Sequence, residues 1–276
     1  MRIDFHKWAA FKECPKKFYL KHIKREPPAI LEDDYPFLYG NLVQKFFELY
    51  CNIWRFKTPY LFPEIIKERL KDLYDSILRN STVDWSGPKV TLAQEEILER
   101  AYNDVNAIMH SPNQNYFLNT KSEITIEATL KSGNVINGRL DFLHKPPLSE
   151  NLILIDGKGS HKIGKDVNKD QLLFYALLCT FQFKRLPQEA GFFYYQFNTY
   201  VPIEINSDIL NEFRAKLSLD IKTMTSSDYS ATPSAKSCKY CSYLPACIEG
   251  MKSKASRAKE SKIEGLEGEG LIEFGF

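Results

Sequence analysis

The sequence predicts an α/β fold, mostly helical over its first 115 residues and sheet-bearing over the second half. Three observations predict it. Apolar residues recur at helical spacing as far as residue 109. At about residue 122 the period changes to alternation, in SEITIEATL and again in VINGRLDFLH. With 276 residues, 43% hydrophobic and 13% aromatic, the chain can bury a sizeable core as one large domain, or as one with an added helical subdomain. Global disorder is excluded.

Each element has its own warrant. Residues 4–24 read as two short helices meeting at Cys14-Pro15, because proline suits a first helical turn but not a helix interior. Residues 38–56 place Leu42, Val43, Phe46, Phe47, Tyr50 and Ile53 on one stripe, and Gly40 leaves room for another backbone. Residues 63–79 and 91–109 are amphipathic, the second opening with Thr91-x-x-Gln94 in capping-box order. Three strands follow, SEITIEATL, VINGRLDFLH and NLILIDGK, then a helix over 167–184, an aromatic strand over 190–198 and a helix near 207–225. The second half is therefore ββ-β-α-β. We expect three regions: helical residues 1–115, a core and closing cysteines over 116–250, and a flexible tail over 251–276. The tail is basic from Lys252 to Lys262 and then acidic and glycine-rich. It finishes with Leu271, Ile272, Phe274 and Phe276, an apolar end suited to a protein partner or to adding a strand to a sheet edge.

A net charge of +2, from 37 basic and 35 acidic residues, does not by itself identify a polyanion binder. No apolar leader segment opens the chain, and no apolar run approaches the ~18 residues of a membrane span. No membrane association is expected, and the localisation expected is cytoplasmic. Six unevenly spaced cysteines without an export signal suggest metal ligands or buried thiols in a reducing compartment.

Asp141 closes one strand and Asp156-Gly157-Lys158 ends the next, so two carboxylates and an ammonium project from neighbouring strand ends. Asp156 and Lys158 are two apart and share a face if the strand reaches them. Phosphodiester hydrolysis needs a divalent cation on hard oxygen ligands, and a positive charge near the attacked phosphate. The carboxylates suit the first need and Lys158 the second.

These residues, with FKECPKKFYL, the Gly40 helix, NGRLDF, LIDGK, Gln171-LLF-Tyr175 and the closing cysteines, resemble the RecB-like branch of the PD-(D/E)XK nucleases, CRISPR-associated exonucleases included. The resemblance covers residues 5–250. It implies a restriction-endonuclease-like core with a mixed central sheet flanked by helices, and Mg²⁺ or Mn²⁺ at the site. It also implies that the Gly157 carbonyl binds metal with Asp141 and Asp156, and that Gln171 and Tyr175, one helical turn apart, help to engage DNA. The family usually carries a metal-binding histidine four residues after the early glycine; this chain has Gln44 there. An amide oxygen can ligate a hard cation, though neutral and weaker than a carboxylate. Glu48, one turn on, and Glu127, on the first strand, are further outer-ligand candidates.

Cys238-x2-Cys241-x5-Cys247, in a loop with Tyr240 and Tyr243, supplies three thiolates, and Cys14 can be the fourth from the other end of the chain. Four soft ligands suit tetrahedral zinc or a 4Fe-4S cube, and ligand chemistry alone does not choose. The one-plus-three order resembles the iron-sulfur clamp of the same family, joining both chain ends. Cys51 and Cys179 lie on apolar helices and read as core. Lys162, Lys165 and Lys169 read as phosphate contacts, with Tyr175 offering a ring to unpaired bases, whereas Phe192, Phe193 and Tyr194 read as core. The function implied is a DNA nuclease on single-stranded or free ends, in recombination, repair, replication or spacer acquisition. The rival is a noncatalytic DNA-binding or assembly subunit keeping the fold.

Overall fold

The computed structural model describes residues 1–29, 35–58, 60–80, 88–146, 151–160, 162–164, 167–234, 237–238 and 241–251. The expectations for Lys165, for Tyr240 and for the tail over 252–276 lie outside these residues, as do the Thr91 and Gln94 side chains. In chain order the elements are β1 (Arg2–Ile3), α1 (Phe5–Glu13), α2 (Pro15–Phe18), a π-helical turn (Tyr19–Lys24), α3 (Tyr35–Asn52), α4 (Pro63–Arg79), α5 (Pro88–Met109) and α6 (Asn115–Leu118). Then follow β2 (Thr120–Thr129), β3 (Val135–His144), β4 (Ile153–Lys158), α7 (Lys169–Phe183), β5 (Glu189–Tyr194), β6 (Thr199–Ile203) and α8 (Ser207–Ser226). The chain divides into two compact units, Met1–Ile3 with Asp33–Leu217, and Asp4–Glu32 with Ser218–Phe276.

The first unit is an α/β fold around a mixed sheet of six strands in the order β1-β3-β4-β5-β6, with β2 paired to β3. β4 and β5 run parallel, as α7 between them requires. β2, β3 and β4 form an antiparallel meander, and β6 returns antiparallel to β5. β6 contains Pro202, which a strand tolerates at an edge. β1 and β6 were not foreseen: one is two residues long and the other carries the proline, so neither has a usable alternation. The aromatic strand also ends sooner than its composition suggests, because the chain leaves the sheet at Tyr195 in a short 3₁₀ turn.

One face of the sheet packs on α3, whose Leu42, Val43, Phe46, Phe47, Tyr50 and Cys51 are fully buried. Ile53, expected on that stripe, is exposed because α3 stops at Asn52. α4 and α5 complete this layer, with Leu70, Ala101, Val105 and Ile108 buried in the same cluster. α5 begins at Pro88, earlier than the expected cap at Thr91. Cys179, on α7, is buried, and Phe192, Phe193 and Tyr194 are core as expected.

The second unit is built from both chain ends. Asp4 caps α1, accepting from the Lys7 amide at 2.8 Å. The Trp8 indole donates to Asp220 at 3.0 Å, and Lys12 holds the other oxygen of that carboxylate at 3.0 Å. The Tyr19 ring stacks on Tyr229 at 5.5 Å, and Leu20 packs with Tyr243 and Cys247. Among the described residues no helix is long and apolar enough to cross a membrane.

Candidate active site

β3 and β4 separate where the chemistry begins. Their ladder ends at Phe142↔Ile155, and beyond it the Gly157 amide donates to Asp141 Oδ2 at 3.0 Å in place of a backbone acceptor. Asp141 thus closes the fork between the strands. Asp156 is 2% exposed and lies beyond the same fork. Gln171, in the first turn of α7, donates from Nε2 to Asp156 Oδ1 at 2.8 Å. Its Oε1 accepts from Lys158 Nζ at 3.4 Å, while Lys158 also pairs with Asp156 Oδ2 at 2.7 Å. One amide therefore braces both members of the Asp-x-Lys triplet. The Lys158 ammonium also lies over the Phe192 ring, 5.4 Å from its centroid.

Burial, and next the charge of Asp156, hold the Asp141 carboxyl well above the usual carboxylate range, and the Gly157 amide offsets this only in part. A buried carboxylate, Asp156, beside a half-buried one, Asp141, suits a bound cation. The donor set, two carboxylates with the Gly157 carbonyl and the Gln44 amide oxygen beside them, has the hard-oxygen chemistry of Mg²⁺ or Mn²⁺. Among the described residues, no three His, Cys, Asp or Glu side chains converge on one point. An ion here would therefore rest on neutral oxygens as well as on the two acids.

The middle residue of the triplet has a steric reason to be glycine. A Cβ on Gly157 would collide with the Tyr195 hydroxyl and the Gln44 amide oxygen. These two groups are themselves hydrogen-bonded, Tyr195 donating to Gln44 Oε1, and Gln44 Nε2 is buried without an acceptor among the described residues. Gly159 repeats the theme: a Cβ there would lie 2.8 Å from Gly40 Cα, the close approach that Gly40 on α3 was expected to permit.

Tyr195 was missed by sequence reasoning. In the run FFYYQF nothing distinguishes the tyrosine that leaves the strand from those that stay in it. Its ring stacks on Phe47 at 5.6 Å, and burial, then the charges of Asp141 and Asp156, push its hydroxyl well above the ordinary range, so it stays a donor. Removing that hydroxyl in Tyr195→Phe leaves the Gln44 amide unsatisfied on both atoms. We expect a stability loss of about 1–3 kcal/mol, read by thermal denaturation, with weakened binding of Mn²⁺ in titration calorimetry. Unchanged values for both would remove Tyr195 from the site.

Glu123 was also missed. It has a left-handed backbone, φ 55°, within β2, where the register passes from Ser122↔Phe142 to Ile124↔Leu140 and leaves it beside Asp141. Its carboxylate pairs with Arg139 at 2.6 Å, and its charge adds to the upward pressure on Asp141.

Other expected residues fall elsewhere. The Tyr175 ring is 5% exposed and packs against Gly138, so it presents no free face to a base. Helical spacing put it on the Gln171 face but could not say that this face turns inward. Glu48 is gripped by Lys45, both oxygens at 2.7 Å. Glu127 is exposed, pairs with Arg2 at 2.5 Å and lies opposite Asn137, four residues along β3 from Asp141. That is roughly 13 Å at strand rise, too far for an outer ligand. Lys162 and Lys169 are exposed, after β4 and at the start of α7.

In the second unit Cys14, Cys238, Cys241 and Cys247 line one pocket together with Leu20, Pro233 and Leu244. All four are free thiols, and the Gly250 amide donates to Cys247 Sγ at 3.4 Å. The two chain ends thus bring the one-plus-three set to a common cavity. Cys51 lies in the other unit, its thiol donating to the Phe117 carbonyl at 3.4 Å, as a core cysteine should.

A mixed sheet flanked by helices, with two carboxylates and a lysine at a fork between strands, has the groups that metal-assisted phosphodiester cleavage needs. The chain belongs to the PD-(D/E)XK nuclease superfamily, whose model matches residues 5–248. Among solved structures it is similar to one described as a "Putative exonuclease" from Eubacterium rectale, at 11% identity over 81% of this chain and 80% of that one, with a TM-score of 0.51. That likeness is one of fold. The crystal structure of SSO0001 aligns with 79% of this chain and 97% of its own at 14% identity, but a TM-score of 0.34 carries no argument. No curated protein matches the chain.

Proposed function

We propose that this protein is a metal-dependent deoxyribonuclease of the RecB-like type that acts on single-stranded or free DNA ends, as an exonuclease or flap nuclease. The observation that carries the reading is the Gln171 brace, which fixes Asp156 and Lys158 beside the Asp141 fork. Asp141, Asp156 and the Gly157 carbonyl would hold Mg²⁺ or Mn²⁺, with Gln44 adding the second lone pair of its amide oxygen. When bound, the ion supplies an activated water and offsets charge on the leaving oxygen. Lys158 sets a cation against the attacked phosphate, Gln171 keeps Lys158 and Asp156 in register, and Tyr195 orients Gln44. Lys162 and Lys169, exposed beside this site, suit contact with the DNA backbone. Tasks in recombination, repair, replication or CRISPR adaptation all require this chemistry.

The test is cleavage of end-labelled single strands, blocked-end strands and circular DNA with Mg²⁺ or Mn²⁺. We expect loss of label from free ends, no cutting of circles and full arrest by chelation. DNA binding without cleavage in either metal would favour the noncatalytic subunit.

We assign a 4Fe-4S cluster to the cysteine pocket. The four thiols line one pocket, and their one-plus-three order resembles the iron-sulfur clamp of RecB-like nucleases, whereas zinc sites are more often built from two closely spaced pairs. The cluster would tie residues near both ends of the second unit together, a contribution to folding rather than to chemistry. Protein purified without oxygen should be brown. Cys14→Ser should bleach it and lower stability by about 2 kcal/mol, roughly 4–8 °C in Tm. A colourless protein holding stoichiometric zinc would reverse the assignment.

A further inference from the structure

The chain between α3 and α4, in the first unit, holds three aromatic rings in water. Phe56, Tyr60 and Phe62 are 72%, 71% and 69% exposed. Single surface rings are ordinary, but three within seven residues make a patch that an occupant would cover. The backbone beneath them is pinned. Arg55 donates from Nε to the Cys51 carbonyl at 2.6 Å and from Nη1 to the Leu118 carbonyl. Trp54 packs edge-on against Phe46 at 5.3 Å, and the Arg69 guanidinium lies 4.9 Å from the Trp54 ring centre. Leu61, between Tyr60 and Phe62, is buried, which turns its two neighbours outward together. From residue 53 to 63 the chain carries Arg55 and Lys57 and no acid, and the next acid, Glu64, sits in the first turn of α4, where the helix amides attract it. Lys57 is exposed, and the Arg55 guanidinium lies over the Phe56 ring at 4.5 Å.

α3 leads from the nuclease site to this patch. At Gln44 it meets Gly157 on β4. Two turns later the Asn52 side chain holds the backbone of Ser122 on β2, accepting from its amide at 3.2 Å and donating to its carbonyl at 3.3 Å. Ser122 is the register partner of Phe142, the residue after Asp141. The helix therefore crosses the sheet at the level of the carboxylates, and the rings follow beyond Asn52. Gln44 to Asn52 is roughly 12 Å at helical rise, about four nucleotides at the ~3.4 Å step of a stacked strand. Flat rings beside an exposed lysine, with no acid among them, match the base faces and phosphates of unpaired nucleic acid. We propose that Phe56, Tyr60 and Phe62 form a stacking platform for the bases of a single DNA strand whose end lies in the nuclease site, with Lys57 against its phosphates. The choice of ligand rests on the nuclease reading. A duplex, whose bases are already stacked on one another, gains nothing from the rings.

The test measures fluorescence anisotropy of the full chain in chelator, so that nothing is cut, with a labelled single strand of about 20 nucleotides, the same strand without bases, and a blunt duplex. The protein should bind the strand at least about tenfold more tightly than its abasic counterpart. Phe56→Ala with Tyr60→Ala and Phe62→Ala should cost at least about tenfold in strand affinity, each stacked ring being worth roughly fivefold or more. That variant should bind the abasic strand and the duplex as the wild type does and keep the wild-type circular dichroism spectrum. Phe56→Trp with Tyr60→Phe and Phe62→Trp should retain the affinity. Strand binding that is absent, equal in wild type and the alanine variant, or lost together with abasic binding overturns the platform whether or not the protein cuts DNA. So does self-association in sedimentation that the alanine variant abolishes while strand binding is unchanged, which assigns the rings to a protein contact. Ring-dependent strand binding without cleavage in Mg²⁺ or Mn²⁺ leaves the platform standing and removes the nuclease reading.

Discussion

Replacing Lys158 by methionine is expected to lower metal-dependent cleavage by at least about 10²–10³-fold, the usual scale for loss of a preorganised charge at a reacting centre. The geometry adds a second expectation. Lys158 stands 2.7 Å from an Asp156 carboxylate that is almost wholly buried, so its removal leaves that acid, with Asp141 nearby, short of a positive partner. Breaking a buried pair costs up to about 3–5 kcal/mol; Lys158 is partly exposed, so we expect roughly 1–3 kcal/mol. Saturating Mg²⁺ should return much of the stability but none of the activity, since the ion replaces the charge and not the lysine's place beside the phosphate. Single-turnover cleavage and thermal denaturation with and without Mg²⁺ separate the two effects. Hydrolysis at the wild-type rate would remove Lys158 from the chemistry. With the proposed cluster in the cysteine pocket, the variant should keep the cluster's colour, which distinguishes it from Cys14→Ser.

Asp141→Asn should abolish cleavage and yet stabilise the metal-free protein at neutral pH. Burial and the neighbouring Asp156 charge raise the folded-state pKa of Asp141 above its ordinary value of 3.8. The folded state therefore holds this proton more tightly than the unfolded state. The stabilisation is complete below the ordinary carboxylate range and is lost as pH rises through the raised folded value. Asparagine keeps an acceptor for the Gly157 amide and never ionises, so it removes that loss. The expected gain is on the order of 1 kcal/mol, or about 2–4 °C in Tm, in chelator. Denaturation curves should steepen in their pH dependence for wild type and flatten for the variant. Added Mg²⁺ should reverse the ranking, because the ion favours the ionised aspartate and has little hold on the amide. A variant less stable than wild type in chelator at neutral pH would contradict the buried-pair account.

Much of this was legible from the chain. α4 spans Pro63–Arg79 and β3 spans Val135–His144, both as their periods foretold, because a long amphipathic helix and an alternating strand each bury one face whatever they pack against. The acids and the lysine were legible because Asp141, Asp156-x-Lys158 and Gln171-x3-Tyr175 follow at strand ends and on the next helix in the order the family resemblance carries. β1 and β6 were not, since two residues carry no period and a proline interrupts one. Tyr175 was half legible: its turn of helix was right, but only packing on Gly138 turns the ring inward.

What the sequence by itself determined is the order of the long helices and of β2 to β5, the paired carboxylates with their lysine, and a one-plus-three set of cysteines, all properties of local spacing and side-chain chemistry. Tertiary structure decided which of these groups meet. The Gly157 amide finds Asp141 across 16 residues because the β3–β4 ladder stops short, and Tyr195 reaches Gln44 across 151 because the chain leaves the sheet one residue after Tyr194. Such contacts depend on strand register and on where strands part. Those are set by the packing of distant segments, and no short window of sequence contains them.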